Sequence, residues 1–207
     1  MTTHGVRSRR ILVWASLAAV LMVLFLVAIP ILMTGDVFQN DDFMEYWAAG
    51  RLNSQGLNPY STQLLEALQQ PLGRQRTVIM YNPPYTLAVT MPFSWLPYPL
   101  GRISWYLFSV ALVAVAASWI WDLAGAPRRL MWLAWAITFL FAPVLNALHA
   151  GQISPLLLFG MAAFLHFAKA GKLWSAGALA ALIAIKPHWM YLFWIVLLFW
   201  CFDRRKW

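Results

Sequence analysis

The fold of this chain depends on how residues 83–99, PPYTLAVTMPFSWLPYP, meet a membrane. The segment holds five prolines in seventeen residues, and its apolar core is short. A proline inside a helix removes a backbone hydrogen bond, and lipid cannot replace the lost partner. The composition therefore predicts a broken segment that lies on the membrane surface and does not cross the bilayer.

The rest of the chain has the composition of an all-α polytopic membrane protein. Hydrophobic residues make up 62% of the sequence and charged residues 11%, whereas a soluble domain has about half and about a quarter. The first apolar run is too long for a signal-peptide core, so we expect a retained helix. We predict one transmembrane domain over 1–207, with spans at 11–33, 100–124, 129–148, 152–169, 173–187 and 187–202.

The distribution of Lys and Arg residues over the loops distinguishes two possible membrane topologies. If 34–99 is one outer loop and the N-terminus is cytoplasmic, ten of the fifteen Lys and Arg residues fall on the cytoplasmic side. If 83–99 crosses, the clusters at 128–129, 169–172 and 204–206 all move outside, against the positive-inside rule. We therefore predict six crossings with both termini cytoplasmic. The net charge of +8 then reflects membrane orientation and not a nucleic-acid partner.

This topology places most polar groups on the outer face, beginning with NDDFMEYWAAGRLNSQGLNPY at 40–60. Asn40 or Asp41 is a natural helix N-cap, and Gly50 a natural helix end. The aromatic residues of the predicted helix share one face, which we expect to rest on the bilayer. Capping explains one of the adjacent acids Asp41 and Asp42 more easily than both. The residues alone leave open whether these acids are caps or catalysts.

Other outer-face residues also have a structural and a functional interpretation. Lys186 follows the apolar run GALAALIAI and precedes a proline, so it either extends to the interface or holds an anionic phosphate. Tyr81 and Asn82 precede a proline pair, and His149 and Gln152 belong to a short interhelix turn. The single cysteine excludes an internal disulfide, and no metal-binding motif is present.

The stretch Asp42–Tyr60 reads D-F-x-x-Y-W-x-A-G-x-L-x-x-x-G-x-N-P-Y. It resembles the first outer loop of glycosyltransferase family 87, membrane enzymes of the GT-C fold that use polyprenyl-phosphate sugars. The family includes mannosyl- and arabinofuranosyltransferases of mycobacterial envelope glycolipids. Three further stretches are similar and occur in the expected order, so that the resemblance covers roughly 35–190: Asn82-Pro83-Pro84 followed by PFSWLP at 92–97, Gly151-Gln152, and Ile185-Lys186-Pro187.

The resemblance implies a transferase that moves mannose or arabinofuranose from a polyprenyl-phosphate donor to a glycolipid or glycan hydroxyl. The site would lie on the outer face of the cell membrane, with no metal and no cofactor. Asp42 would be the general base, although Asp41 blurs the assignment by one residue. The substrate-binding residues would be Lys186, His188, His149, Gln152, Arg51, Tyr46, Tyr60, Tyr81 and Asn82.

Two other classes of protein stay open. GT-C enzymes usually have more than six helices, so the chain resembles the N-terminal portion of a longer enzyme, and a noncatalytic GT-C-like fragment is one alternative. A membrane transporter or lipid-handling protein is the other. Transporters commonly keep ionisable residues in mid-membrane, whereas those predicted here fall near helix ends. That placement argues against an ion relay but not against substrate transport.

Overall fold

The computed structural model describes residues 41–73 and 76–204, which form helices and loops without a strand in this part of the chain. The predicted span 11–33 lies outside the described residues. Short 3₁₀ turns occur at Gln70–Leu72, Pro84–Thr86, Arg128–Leu130, Ala181–Ile185 and Pro187–Met190. The α-helices are α1 Phe43–Ser54, α2 Thr62–Gln69, α3 Leu87–Ser94, α4 Tyr98–Leu123, α5 Met131–Leu140, α6 Ala142–His149, α7 Ser154–Lys169, α8 Leu173–Ala180 and α9 Tyr191–Arg204.

Helix α4 corresponds to the predicted span 100–124. Its 26 residues extend over about 39 Å, which is enough to cross a bilayer. Within the described ranges it is the one single helix both long and apolar enough to do so. The 16-residue helix α7 is also apolar and packs along α4, where the rings of Trp119 and Phe159 lie 5.3 Å apart.

The other apolar segments are bent, and prolines explain the bends. The segment predicted as 129–148 turns by 64° between α5 and α6, because Pro143 cannot continue the helix that precedes it. The segments predicted as 173–187 and 187–202 meet at 117°, where Lys186 precedes Pro187 and leaves the helical region. The described residues thus hold one candidate span, or up to three if each bent pair counts as one. The six crossings stay a prediction.

The segment 83–99 is broken, as its prolines predict. Helix α3 has only eight residues, with Pro92 inside it. It is therefore about 12 Å long, much shorter than a bilayer core. The helix lies against α1, where a Cβ on Gly50 would come within 2.5 Å of the Ser94 Oγ. The indole nitrogen of Trp47 donates a hydrogen bond of 2.9 Å to the Leu96 carbonyl just beyond α3.

The same packing corrects two expectations about α1. Its aromatic face does not rest on the bilayer, because Phe43 and Tyr46 are fully buried and Trp47 is 7% exposed. Their rings pack 5.4–6.1 Å from those of Tyr98 and Trp105 on α4. The helix also continues past Gly50 to Ser54. The glycine is used for close helix packing and does not end the helix.

The turn after α6 docks on the start of α1. The backbone N–H of Asp42 donates to the Ala150 carbonyl at 2.8 Å. Gly151 has a φ of 64°, and a Cβ there would lie 2.7 Å from the Asp41 Oδ1. The position therefore needs glycine for two reasons, a left-handed backbone and the absence of space.

We predict that Gly151→Ala destabilises the protein more than Gly125→Ala does. Both residues have positive φ, 64° and 70°, so both alanines bear a left-handed strain of about 1 kcal/mol. Only alanine at 151 also meets atoms of Asp41 and Phe43, which adds about 1–3 kcal/mol of overpacking. Thermal unfolding in detergent checks this, and equal midpoints for the two variants would contradict the packing.

Candidate active site

The two adjacent acids lie in different surroundings. Asp41 is 3% exposed, and its carboxylate is 3.0 Å from the Arg102 Nε in a buried ion pair. The Tyr98 hydroxyl donates to Asp41, and the Phe43 backbone N–H donates to it at 3.0 Å. The N-cap position of α1 is Asp42 and not the predicted Asn40 or Asp41, although the Asp41 side chain binds the first backbone N–H of the helix. The Arg102 guanidinium also donates to the His149 carbonyl, so that the ion pair links the start of α1 to α4 and to the end of α6.

Asp42 faces a cavity of about 590 Å³. The cavity forms where three separate parts of the chain meet: the start of α1, the segment before α3, and the bend between α8 and α9. Its lining residues are Asp42, Glu45, Val78, Tyr81, Asn82, Pro83, Ile185, Lys186, Pro187, His188 and Trp189. Asp42 is half-buried, and its side chain makes no cap hydrogen bond to α1. The structure therefore brings five of the predicted site residues together: Asp42, Tyr81, Asn82, Lys186 and His188.

Lys186 supplies a positive charge to this cavity. It stands where α8 and its 3₁₀ extension end, with φ −128° and ψ 72°. The side chain is half-buried, and its Nζ lies 4.8 Å from the centre of the Trp189 ring. Such a cation–π contact orients an ammonium group without neutralising it. The lysine can therefore attract an anion at the cavity wall.

Glu45 is a cavity residue that the sequence analysis missed. It is 7% exposed, and the Asn82 Nδ2 donates a 2.6 Å hydrogen bond to its Oε1. Burial raises the pKa of Glu45 to about 7; the Asp42 charge adds to the rise and Lys186 opposes it. The sequence contained a signal for Glu45, because it lies three residues after Asp42 and residues three apart share a helix face. In the D-F-x-x-Y pattern, however, Glu45 is the second x, a position at which the pattern specifies no residue. The resemblance therefore did not point to it.

The aromatic residues divide by their exposure. Tyr81 lines the cavity and is 82% exposed, so its ring is accessible to a ligand. Tyr60 supports the wall from behind, since its hydroxyl donates to the Asn82 carbonyl at 2.8 Å. Tyr46 is fully buried with its ring packed on Trp105, and it presents no surface for stacking on a sugar. Burial raises its pKa well above the usual value, with the Glu45 charge contributing.

The remaining three predicted residues do not line the cavity. Arg51 lies 5.1 Å from the Trp47 ring and donates to the Leu96 carbonyl at 3.2 Å. His149 provides its backbone carbonyl to Arg102. Gln152 accepts a 3.3 Å hydrogen bond from the Ser154 hydroxyl. The predicted substrate-binding roles of Arg51, His149 and Gln152 therefore stay predictions, because the structure does not bring these residues to the cavity.

The cavity can bind an anion and accept a proton. A carboxylate that lines an accessible cavity is a potential general base, and a nearby ammonium favours negative charge on a bound group. No group of three or more His, Cys, Asp or Glu side chains in residues 41–73 and 76–204 is arranged to hold a metal ion. The fold and the site define a helical protein of membrane character, with an acid–lysine cavity near its helix ends.

Comparison with known families gives this protein its class. The model of glycosyltransferase family 87 matches residues 80–207, more than half of the chain, and the chain therefore belongs to that family. It is a glycosyltransferase. The match contains the cavity residues Asn82, Lys186 and His188, whereas Asp42 and Glu45 precede it. No curated protein and no solved structure matches the chain.

We predict that Asp41→Asn destabilises the protein far more than Asp122→Asn. Removing one partner of a buried ion pair leaves an uncompensated charge and costs about 3–5 kcal/mol. The matched pair Asp122–Arg128 is 3.2 Å long, but its arginine is 84% exposed, so breaking it costs about 0–1 kcal/mol. Thermal unfolding of both variants in detergent measures the difference. Similar midpoints would show that the Asp41–Arg102 pair is not a principal contact.

Proposed function

We propose that this protein is a GT-C-type membrane glycosyltransferase that transfers mannose or arabinofuranose from a polyprenyl-phosphate donor to a hydroxyl of a glycolipid or glycan. One observation carries the proposal: Asp42 and Lys186, far apart in sequence, line the same cavity. Transfer from a lipid phosphate requires a base for the acceptor and a cation for the leaving phosphate, and these residues supply both.

In the proposed reaction the acceptor hydroxyl gives its proton to the Asp42 carboxylate. Its oxygen forms a bond to the anomeric carbon, while the bond from that carbon to the phosphate oxygen breaks. The electron pair of the broken bond stays on the lipid phosphate, whose negative charge Lys186 stabilises. His188 is a second donor to this phosphate. The sugar is transferred with inversion, because no covalent enzyme intermediate forms.

We also propose that the cavity opens on the outer face of the cell membrane. The chain would form one domain with six crossings and both termini cytoplasmic, as the basic loop residues indicate. The contacts around α1 support a common side for the polar segments expected outside. Asp42 bonds to the turn after α6, and it shares the cavity with the corner at Lys186.

The base is tested by Asp42→Asn. We expect kcat to fall by about 10²–10⁴-fold, the usual contribution of general-base catalysis, while donor binding is retained. The assay is transfer from short-chain prenyl-phosphate mannose and arabinofuranose, with Asp122→Asn as an acid-to-amide control at a distant exposed ion pair. Activity of Asp42→Asn within a few-fold of the wild type would overturn the assignment. If Glu45→Gln loses activity and Asp42→Asn keeps it, Glu45 and not Asp42 is the general base.

The phosphate site is tested by Lys186→Ala. We expect the KM for the donor to rise by about tenfold or more, because a hydrogen bond to a charged group contributes about 1.5–3 kcal/mol. Lys186→Arg should retain part of the affinity, since it keeps the charge, and the exposed Lys172→Ala is the matched control. An unchanged KM in Lys186→Ala would refute the phosphate role. Donor binding without release of prenyl phosphate would favour a lipid-handling protein.

A further inference from the structure

The proposed transfer step uses Asp42 and Lys186 but assigns no task to Glu45. This glutamate is nevertheless part of the cavity wall, with its carboxyl group held by the Asn82 amide at 2.6 Å. Building on the proposed function, we propose that Glu45 takes up a proton when a phosphate anion binds beside Lys186. Glu45 would thus be a positioning residue that adjusts the charge of the cavity to its anionic ligand.

The groups that face Glu45 come from each neighbouring part of the chain. Tyr46 lies on its own helix beside Asp42, and Tyr81 and Asn82 belong to the segment before α3, from which the Asn82 amide donates to Glu45. Lys186 and His188 belong to the opposite wall of the cavity. On α4, Arg102 pairs with Asp41 and donates to the backbone carbonyl of His149 at the end of α6. Lys186 is therefore the cation that acts on Glu45.

The charges in the cavity explain the coupling. With both carboxyl groups ionised, a single lysine faces two negative charges before any ligand enters. A bound phosphodiester adds a third negative charge, which interacts with the same Lys186 ammonium group. The carboxyl group that most readily becomes neutral is the buried one, since burial already raises the pKa of Glu45 to about 7. Neutral Glu45 removes one repulsive charge and still accepts the Asn82 hydrogen bond.

Thermodynamic linkage gives the direction of the pH dependence. If the anion raises the proton affinity of Glu45, protonation of Glu45 raises the affinity for the anion by the same factor. Affinity is then highest below the pKa of free Glu45 and falls as the pH rises above about 7. A coupling of ordinary size corresponds to a change of about tenfold in Kd.

The test is the Kd of the purified full chain in detergent for geranyl methyl phosphate between pH 6 and pH 8.5. This diester carries one negative charge throughout the range, so its own titration does not contribute. We expect the wild type to bind about tenfold more weakly at pH 8.5 than at pH 6. Glu45→Gln should bind tightly at both pH values, because glutamine is neutral and can accept the Asn82 hydrogen bond. Glu66→Gln, an exposed site on α2, should behave like the wild type.

His188 also lines the cavity, and the variants separate its effect from that of Glu45. His188→Gln should keep the pH dependence, whereas a dependence lost in His188→Gln and kept in Glu45→Gln would overturn the proposal. Calorimetry of the wild type in two buffers of different ionisation enthalpy should show proton uptake at pH 7.5. Uptake of no protons would overturn the proposal even if Glu45→Gln fails to fold.

The same binding experiment distinguishes failure of the Glu45 proposal from failure of the proposed phosphate site. Tight binding that depends on Lys186 but not on pH would overturn the role of Glu45 and leave the phosphate site intact. A wild type that does not bind the diester at any pH, or that binds it equally well after Lys186→Ala, would overturn both. The Lys186→Ala variant therefore distinguishes the two failures.

Discussion

The buried ion pair between Asp41 and Arg102 is the contact on which the arrangement of the described residues depends. Both side chains are 2% exposed, and removing two such charges from water is costly unless their hydrogen-bonding capacity is used. Here Tyr98, the Phe43 backbone and the His149 carbonyl supply partners, and of the Arg102 guanidinium nitrogens only the buried Nη1 has no hydrogen-bond partner among the described residues. The pair joins the start of α1 to α4 and to the turn after α6, three segments that are distant in sequence. The hydrogen bond from the Asp42 backbone N–H to the Ala150 carbonyl adds a second contact between α1 and the turn that follows α6.

The junction also separates the roles of two neighbouring acids. Asp41 is directed into the protein and serves structure, whereas Asp42 belongs to the cavity wall. One helical turn further, Glu45 lies on the same wall as Asp42. The cavity thus obtains two carboxyl groups from one helix, and burial raises the pKa of one of them, Glu45, to about 7.

The family match and the cavity complement each other. The match begins at residue 80 and includes the cation side of the cavity, whereas the carboxyl side comes from α1 before it. Asn82 connects the two sides, since it lies within the match and binds Glu45 directly. The aromatic cluster around Trp105 then holds α1 in place, with the rings of Phe43 and Tyr46 within 5.8 Å. A family assignment thus gives the class of reaction, and the packing of α1 brings the acids to the site.

The sequence by itself determined the helical class, the membrane character and the broken shape of 83–99, and its resemblance to family 87 predicted Asp42 and Lys186 for one site, where the structure has both lining one cavity. These follow from local properties: apolar run length, proline positions and a motif with its spacing. Tertiary structure alone decided that Asp41 pairs with Arg102, that the α1 aromatics are buried, and that Glu45 and not Arg51 or His149 reaches the cavity. The bends at Pro143 and Pro187 could be anticipated, but their angles could not. Burial and charge pairing depend on which distant segment covers a side chain, and no local pattern in the sequence encodes that partner.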